Sequence, residues 1–245
     1  QFRPEKRHDL IITQYAKFLH KLGQQQDSTL AKAPKLTLIG SIRNDQDRQY
    51  VQDLKSLAKS NNIPSTHIEF LLDLPYDQVL QHLQTATYGL NAMWNEHFGI
   101  AVVEYVANGL IPLVHASAGP YLDIVVPWDM NKQRKCKDLN EENRTGFYFK
   151  DSSDPDYDLS AMSDKFEDLS QVFARCTQLT DLQKLEISRR GQDCVLERFS
   201  DLKFDNEWNE ALYKVNLIKK HGGRVKSWIG WIVVAFVGVS LARFI

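Results

Sequence analysis

From Lys35 to His115 the chain repeats one alternation. KLTLIG at 35–40, HIEFL at 67–71, YGLNAM at 88–93 and IPLVH at 111–115 are short, apolar segments, and helical stretches separate them. The separators are the charged segment 46–60, Tyr76 to Ala86, and a run that starts near Gly99. Strands that alternate with helices of about ten to fifteen residues run in the same direction. The pattern therefore predicts βαβ units and a parallel sheet covered by helices on both faces. Such sheets bind ligands beyond the carboxyl ends of their strands. A site in this chain is accordingly expected in the segments that leave those ends.

One of those segments carries an unusual pair of acids. NEHFGIAVVE, residues 95–104, has Glu96 and Glu104 on either side of a glycine and an apolar run. If a helix starts near Gly99, then Ile100, Val103 and Ala107 form an apolar stripe, and Glu104 falls on or beside it. An ionised carboxylate withdrawn from water costs several kcal/mol or more unless polar partners replace its hydration. Either a neighbouring backbone group or a ligand must then hydrogen-bond to Glu104.

On either side of this core pattern, apolar residues recur at helical intervals from Asp9 to Leu22, GFYF at 146–149 reads as an edge strand, and helices are expected over 157–178, 181–198 and 201–218. Thr180 and Gln183 have capping-box spacing at the start of the second of these helices. Residues 127–145 hold nine charged side chains and read as a solvated surface insertion, with a lid as the alternative. Its Asn143-Arg144-Thr145 triplet matches a glycosylation acceptor pattern, but without a secretory signal a chance match is the better explanation.

The tail is different in kind. Trp228 to Ile245 holds eighteen residues with one charge, Arg243, and as a helix would reach roughly 27 Å, close to the thickness of a bilayer core. Lys219, Lys220, Arg224 and Lys226 precede it, and Trp228 and Trp231 stand at its entry. Residues 219–226 thus read as a basic juxtamembrane linker and 227–245 as a transmembrane or membrane-anchoring helix, with the preceding residues on the cytosolic side. An in-plane helix and a buried core helix are the alternatives.

Composition narrows the function. With 30 basic and 31 acidic side chains there is no electrostatic footprint for nucleic acid. Cys136, Cys176 and Cys194 are odd in number and form no CxxC, and no HxxxH or acidic calcium loop occurs, so neither disulfides nor a metal are expected. The chain opens QFRPEK without a basic and apolar leader, and reads as the later part of something longer.

No GxGxxG and no GxxxxGK[ST] is present, so a phosphate site must be built differently. The turn His97-Phe98-Gly99 is the best candidate: a helix N-terminus offers unpaired amides and the positive end of a dipole, and Gly99 permits close approach.

Glu96 and Glu104 also stand in the E-x7-E spacing of retaining GT-B glycosyltransferases. MWNEHFGIAVVEYVANGLIPLVHASAGPYLDIV at 93–125, QFRPEKRHDL at the start and TGFYF at 145–149 together resemble one family of them. These are the GDP-mannose-dependent α-1,2-mannosyltransferases that act on dolichol-linked oligosaccharides at the cytosolic face of the endoplasmic reticulum membrane. The resemblance covers residues 1–218 and implies a Rossmann-like C-terminal, donor-binding domain, with the acceptor domain lying N-terminal to it. It implies that Glu104 holds the ribose hydroxyls of the nucleotide, Glu96 contacts hydroxyls of the transferred sugar, and the amides of Phe98 and Gly99 lie against the diphosphate or sugar. Lys6 would neutralise the departing diphosphate, and Asp73, in the loop after the second strand, would contact the base.

Two departures accompany the resemblance. Gln1 occupies the place of the family arginine, leaving open whether Arg3 substitutes for it. Ala118-Gly119 replaces a Gly-Gly pair whose amides would face phosphate. The implied chemistry is transfer with retention, needing no cofactor, no metal and no protein nucleophile. The rival readings are another GT-B sugar-nucleotide enzyme, such as an epimerase or phosphorylase, and a catalytically silent scaffold tethered to a membrane.

Overall fold

A computed structural model describes residues 1–25, 33–157 and 166–220. The chain divides into two compact units, Gln1–Val195 and a second that begins at Leu196. The first contains the sheet. Its strands are β1 (Leu36–Gly40), β2 (Ile68–Leu72), β3 (Tyr88–Asn91), β4 (Ile111–His115) and β7 (Phe147–Phe149), with the small pair β5 (Trp128–Asp129) and β6 (Arg134–Lys135) between the last two. The helices are α1 (His8–Gln25), α2 (Asp45–Ser60), α3 (Tyr76–Thr85), α4 (Ile100–Ala107), α5 (Leu169–Gln178), α6 (Asp181–Phe199) and α7 (Asp201–Lys220).

All five main strands are parallel, as the alternation requires. Their ladders fall into two groups, β1 with β2, and β3 with β4 and β7, in place of the single continuous sheet expected. One core joins the groups, because Leu38 of β1, Leu113 of β4 and Phe147 and Phe149 of β7 are buried in the same cluster. GFYF is an edge strand, as read from the sequence, and it pairs with β4 only from Leu113 onward. Pro112, which has no N–H to donate, lies just outside that ladder.

Helix caps account for several boundaries. Asn44 accepts the Asp47 amide at the start of α2, and Thr180 and Gln183 form the expected reciprocal box before α6. Of the helix expected over 157–178, the part at Leu169–Gln178 is α5, and residues 158–165 lie outside the described residues. At the start of α5, Asp168 and Gln171 close a second capping box, which satisfies amides that would otherwise be left open. The insertion 127–145 is mostly exposed and folds onto the β5–β6 hairpin.

The stripe expected on α4 needs correction. Val102 and Val106 are its buried residues, at 0% and 2% exposure, whereas Ile100 is 50% exposed and Ala107 is also exposed. Glu104, two positions from each buried valine, faces away from the core stripe, and it is partly buried rather than core. In IAVVEYVA every residue but the glutamate is apolar or aromatic. The pattern thus carries almost no information about which face turns inward.

Among the described residues no helix is long and apolar enough to cross a membrane. The apolar tail 227–245 lies outside them.

Candidate donor site at the carboxyl ends of the strands

The site begins with a plug. Phe2 is fully buried, and its amide donates to the Ser41 carbonyl at 3.2 Å, just past β1. Gly40 makes room for the ring, since a Cβ there would stand 2.9 Å from Phe2 Cδ2. With Phe2 anchored, Pro4 starts a 3-10 turn, Pro4–Lys6, which Arg7 closes in a left-handed conformation (φ 54°) while its amide donates to the Pro4 carbonyl. This short turn carries Lys6 over the strand ends.

Lys6 there meets the second predicted segment. Its Nζ donates to Glu96 Oε2 at 2.7 Å and approaches Met93 Sδ at 3.3 Å. The lysine side chain is 36% exposed and the glutamate 18%, so the pair is open to solvent on one side. Glu96 itself sits in the loop between β3 and α4. Gly99 caps α4 with φ 94°, a conformation that favours glycine, and an added Cβ would be 3.0 Å from Pro120 Cγ. The first amides of α4 have no intrahelical acceptor and point toward this turn.

The loop after β4 nests against the loop after β3. A Cβ on Gly119 would be 2.3 Å from the His97 carbonyl oxygen and 2.6 Å from Phe98 Cα, so only glycine allows the two turns this close. The Gly119 amide, expected to face phosphate, donates instead to the Glu96 carbonyl at 3.0 Å. The Asn95 amide donates to Ser117 Oγ at 2.8 Å. Arg7, Asp73, Asn95 and Ala118 all have positive φ, and each lies in a loop at this end of the sheet. Backbone strain is thus concentrated where the predicted site residues are.

The remaining predicted residues are placed as follows. The Glu104 carboxylate makes no hydrogen bond or ion pair among the described residues. That leaves the neighbouring-backbone explanation without support. Burial first, then the negative charges of Glu104 and Glu96, push the Tyr105 phenol up to about 12, so both acids act on the same ring. His97 is exposed and Phe98 partly buried. Arg3 lies 3.5 Å from Glu5, and its Nε is buried without a partner. Asp73 Oδ1 accepts the Ile42 amide at 2.8 Å and the Asp73 amide donates to the Gly40 carbonyl, which staples the loops after β1 and β2 together.

Sequence reasoning missed a buried set of groups behind the site. His115, 1% exposed at the end of β4, has Nδ1 2.8 Å from Ser117 Oγ and Nε2 2.7 Å from Asp154 Oδ2. Asp154 Oδ1 accepts from Arg7 Nη1 at 2.6 Å. Nothing in spacing could have joined residues 7, 115 and 154, although a histidine at a strand end followed by an acidic loop was visible.

Parallel strands, helices packed on them, and a lysine and a glutamate meeting beyond the strand ends define an α/β domain of the GT-B glycosyltransferase fold. Solved structures share that fold. Sucrose-phosphate synthase from Thermosynechococcus elongatus matches with a TM-score of 0.60 at 14% identity, over 89% of this chain and 44% of that one. Anabaena HepE in complex with UDP matches with 0.57 at 16% identity, over 87% and 47%.

The chain belongs to the glycosyl transferases group 1 family, whose model matches residues 1–157. Curated relatives include a protein of Eremothecium gossypii named GDP-Man:Man(3)GlcNAc(2)-PP-Dol alpha-1,2-mannosyltransferase, 48% identical over 86% of this chain. A human protein of the same name is 36% identical over 88% of it. The chain spans 35% and 37% of the length of these two relatives.

Proposed function

We propose that this chain is the donor-binding part of a retaining α-1,2-mannosyltransferase. In this reading it moves mannose from GDP-mannose to a dolichol-diphosphate-linked oligosaccharide on the cytosolic side of the endoplasmic reticulum membrane. The acceptor domain precedes it, and residues 227–245 hold it at the membrane. The observation that carries the reading is the contact between Lys6 and Glu96 beside the start of α4. A cation for a diphosphate, an acid for sugar hydroxyls and a helix N-terminus for an anion stand together there.

The chemistry follows from these groups. Glu104, with no competing protein donor among the described residues, accepts both ribose hydroxyls of the nucleotide. The diphosphate lies against the first turn of α4 and draws Lys6 away from Glu96. That frees the Glu96 carboxylate for hydroxyls of the mannose. As the bond between the sugar and the diphosphate breaks, negative charge grows on the leaving phosphate, and Lys6 and the α4 amides stabilise it most at that point. The acceptor hydroxyl attacks from the face the diphosphate leaves, passes its proton to the departing phosphate, and configuration is retained. Positioning supplies the rest of the acceleration.

Calorimetric titration of this chain with GDP, UDP and ADP tests the reading. Saturable binding with GDP preferred is the expected result, and a folded chain that binds none of the three would overturn it.

A further inference from the structure

Two loops must be held in register for Lys6 and Glu96 to act on one diphosphate sugar, and both contain strained backbone. Arg7, next to Lys6, has φ 54°, and Asn95, next to Glu96, has φ 56°. Left-handed backbone at a non-glycine residue persists only when its surroundings hold it. The same buried group holds both. Asp154, with a side chain 0% exposed, accepts from Arg7 Nη1 at 2.6 Å, from the Asp151 amide at 2.8 Å and from His115 Nε2 at 2.7 Å.

The other ring nitrogen of His115 faces Ser117 Oγ, which accepts the Asn95 amide. An ionised Asp154 is acceptor-only, which makes Nε2 of His115 a donor and leaves Nδ1 to accept from the Ser117 hydroxyl. Donation then runs from Asn95 through Ser117 and His115 to Asp154, which accepts from Arg7 on its other side, and every member of the chain is satisfied. The same acidic loop grips the Glu96 segment a second time, through Trp94 Nε1 to Asp156 Oδ1 at 3.1 Å, with Lys150 Nζ on the other carboxylate oxygen at 2.7 Å.

We propose that Asp154 is a positioning residue for the donor diphosphate: through Arg7 on one side and His115 and Ser117 on the other, it fixes where Lys6 stands relative to the Glu96 turn. The inference rests on the donor-site reading above. It assigns a function to a loop, 151–156, that touches neither of the two site segments through Lys6 or Glu96 themselves.

The test compares guanosine with GDP as calorimetric ligands for the full chain, because only the second carries the diphosphate. Asp154→Asn preserves shape and removes the nearer of the two carboxylate charges beside Arg7, Asp154 at 2.6 Å, leaving Asp151 at 3.9 Å. We expect GDP affinity to fall about tenfold while guanosine affinity stays within twofold. Lys6→Met should lose a similar factor, and the double variant no more than Lys6→Met alone, since Asp154 acts through Lys6. Arg7→Met, at the solvent end of the network, should reproduce the loss if Asp154→Asn does not fold, and Arg7→Lys should largely restore it.

Equal losses for guanosine and GDP, additive losses in the double variant, or unchanged GDP binding in Asp154→Asn and Arg7→Met would each overturn the proposal while leaving the donor site standing. A wild-type chain that binds neither ligand would instead overturn the donor-site reading and the inference with it.

Discussion

Lys6 Nζ and Glu96 Oε2 lie 2.7 Å apart although 90 positions separate the residues. One is carried by a 3-10 turn anchored by Phe2, the other by the loop that leads from β3 into α4. Surface ion pairs of this exposure stabilise a fold by no more than about 1 kcal/mol, so stability is a poor reason for the contact.

That comparison of magnitudes gives the first prediction. Lys6→Met should lower folding stability by less than about 1 kcal/mol in urea denaturation. On the proposed transferase reading, in a protein that also carries the acceptor domain, it should lower mannose transfer by about 10²–10³-fold, the scale of losing one group that stabilises developing charge. Transfer activity that survives the substitution intact would show that Lys6 is an ordinary surface lysine.

Glu104 tests the nucleotide end. Its carboxylate has no partner among the described residues, so removing it should leave stability nearly unchanged. Glu104→Ala should weaken GDP binding by about 1.5–3 kcal/mol, the value of hydrogen bonds to a charged group. Identical GDP isotherms for the variant and the wild type would rule out the ribose role.

The turn at Ala118-Gly119 separates conformation from contact. Ala118 has φ 45°, a region that costs a non-glycine residue about 1–2 kcal/mol, part of which the greater unfolded-state freedom of glycine offsets. Ala118→Gly should therefore raise stability by about 0.5–1 kcal/mol. Gly119 has ordinary helical angles, φ −55° and ψ −50°, yet a Cβ there would be 2.3 Å from the His97 oxygen. Gly119→Ala should cost about 1–3 kcal/mol, as overpacking does. A melting temperature that moves the other way in either variant contradicts the account.

Acid stability should show two windows. Burial, chiefly, lowers the His8 imidazole from 6.5 to about 4. The unfolded chain therefore takes up a proton there before the folded one does. Stability is complete above pH 6.5 and declines as pH falls through 4, by about 3 kcal/mol in total.

Asp154 contributes below that. Burial raises it, but hydrogen bonds from His115, the Asp151 amide and Arg7 outweigh burial and bring it from 3.8 to about 2. Its contribution, about 2 kcal/mol, is complete above pH 3.8 and is lost as pH falls through 2. His8→Phe should flatten urea-determined stability between pH 6.5 and 4 and leave the lower limb in place. An unchanged slope in that variant would remove His8 as the cause.

Several features were legible because they are local. The βαβ alternation fixed four strands to within two residues, the Thr180–Gln183 box fixed the start of α6, and Gly99 announced a turn where a helix begins. The phase of α4 was not legible, since a nearly uniform apolar octapeptide fits either face. Nor was the loop staple made by Asp73, whose carboxylate is engaged by an amide 31 positions away. The break between the β1–β2 and β3–β4–β7 ladders was likewise invisible, because the alternation specifies direction and not which neighbours hydrogen-bond.

The sequence by itself determined the order and direction of the elements and the chemical types available at their ends. Hydrophobic period, caps and turn residues act over a few positions and need no knowledge of the rest. The tertiary structure alone decided which of those ends meet: that Phe2 would seat Lys6 against Glu96, that Gly119 would let two turns touch, and that His115, Asp154 and Arg7 would form one buried set. Those contacts depend on how the core packs, and packing is a property of the whole chain at once.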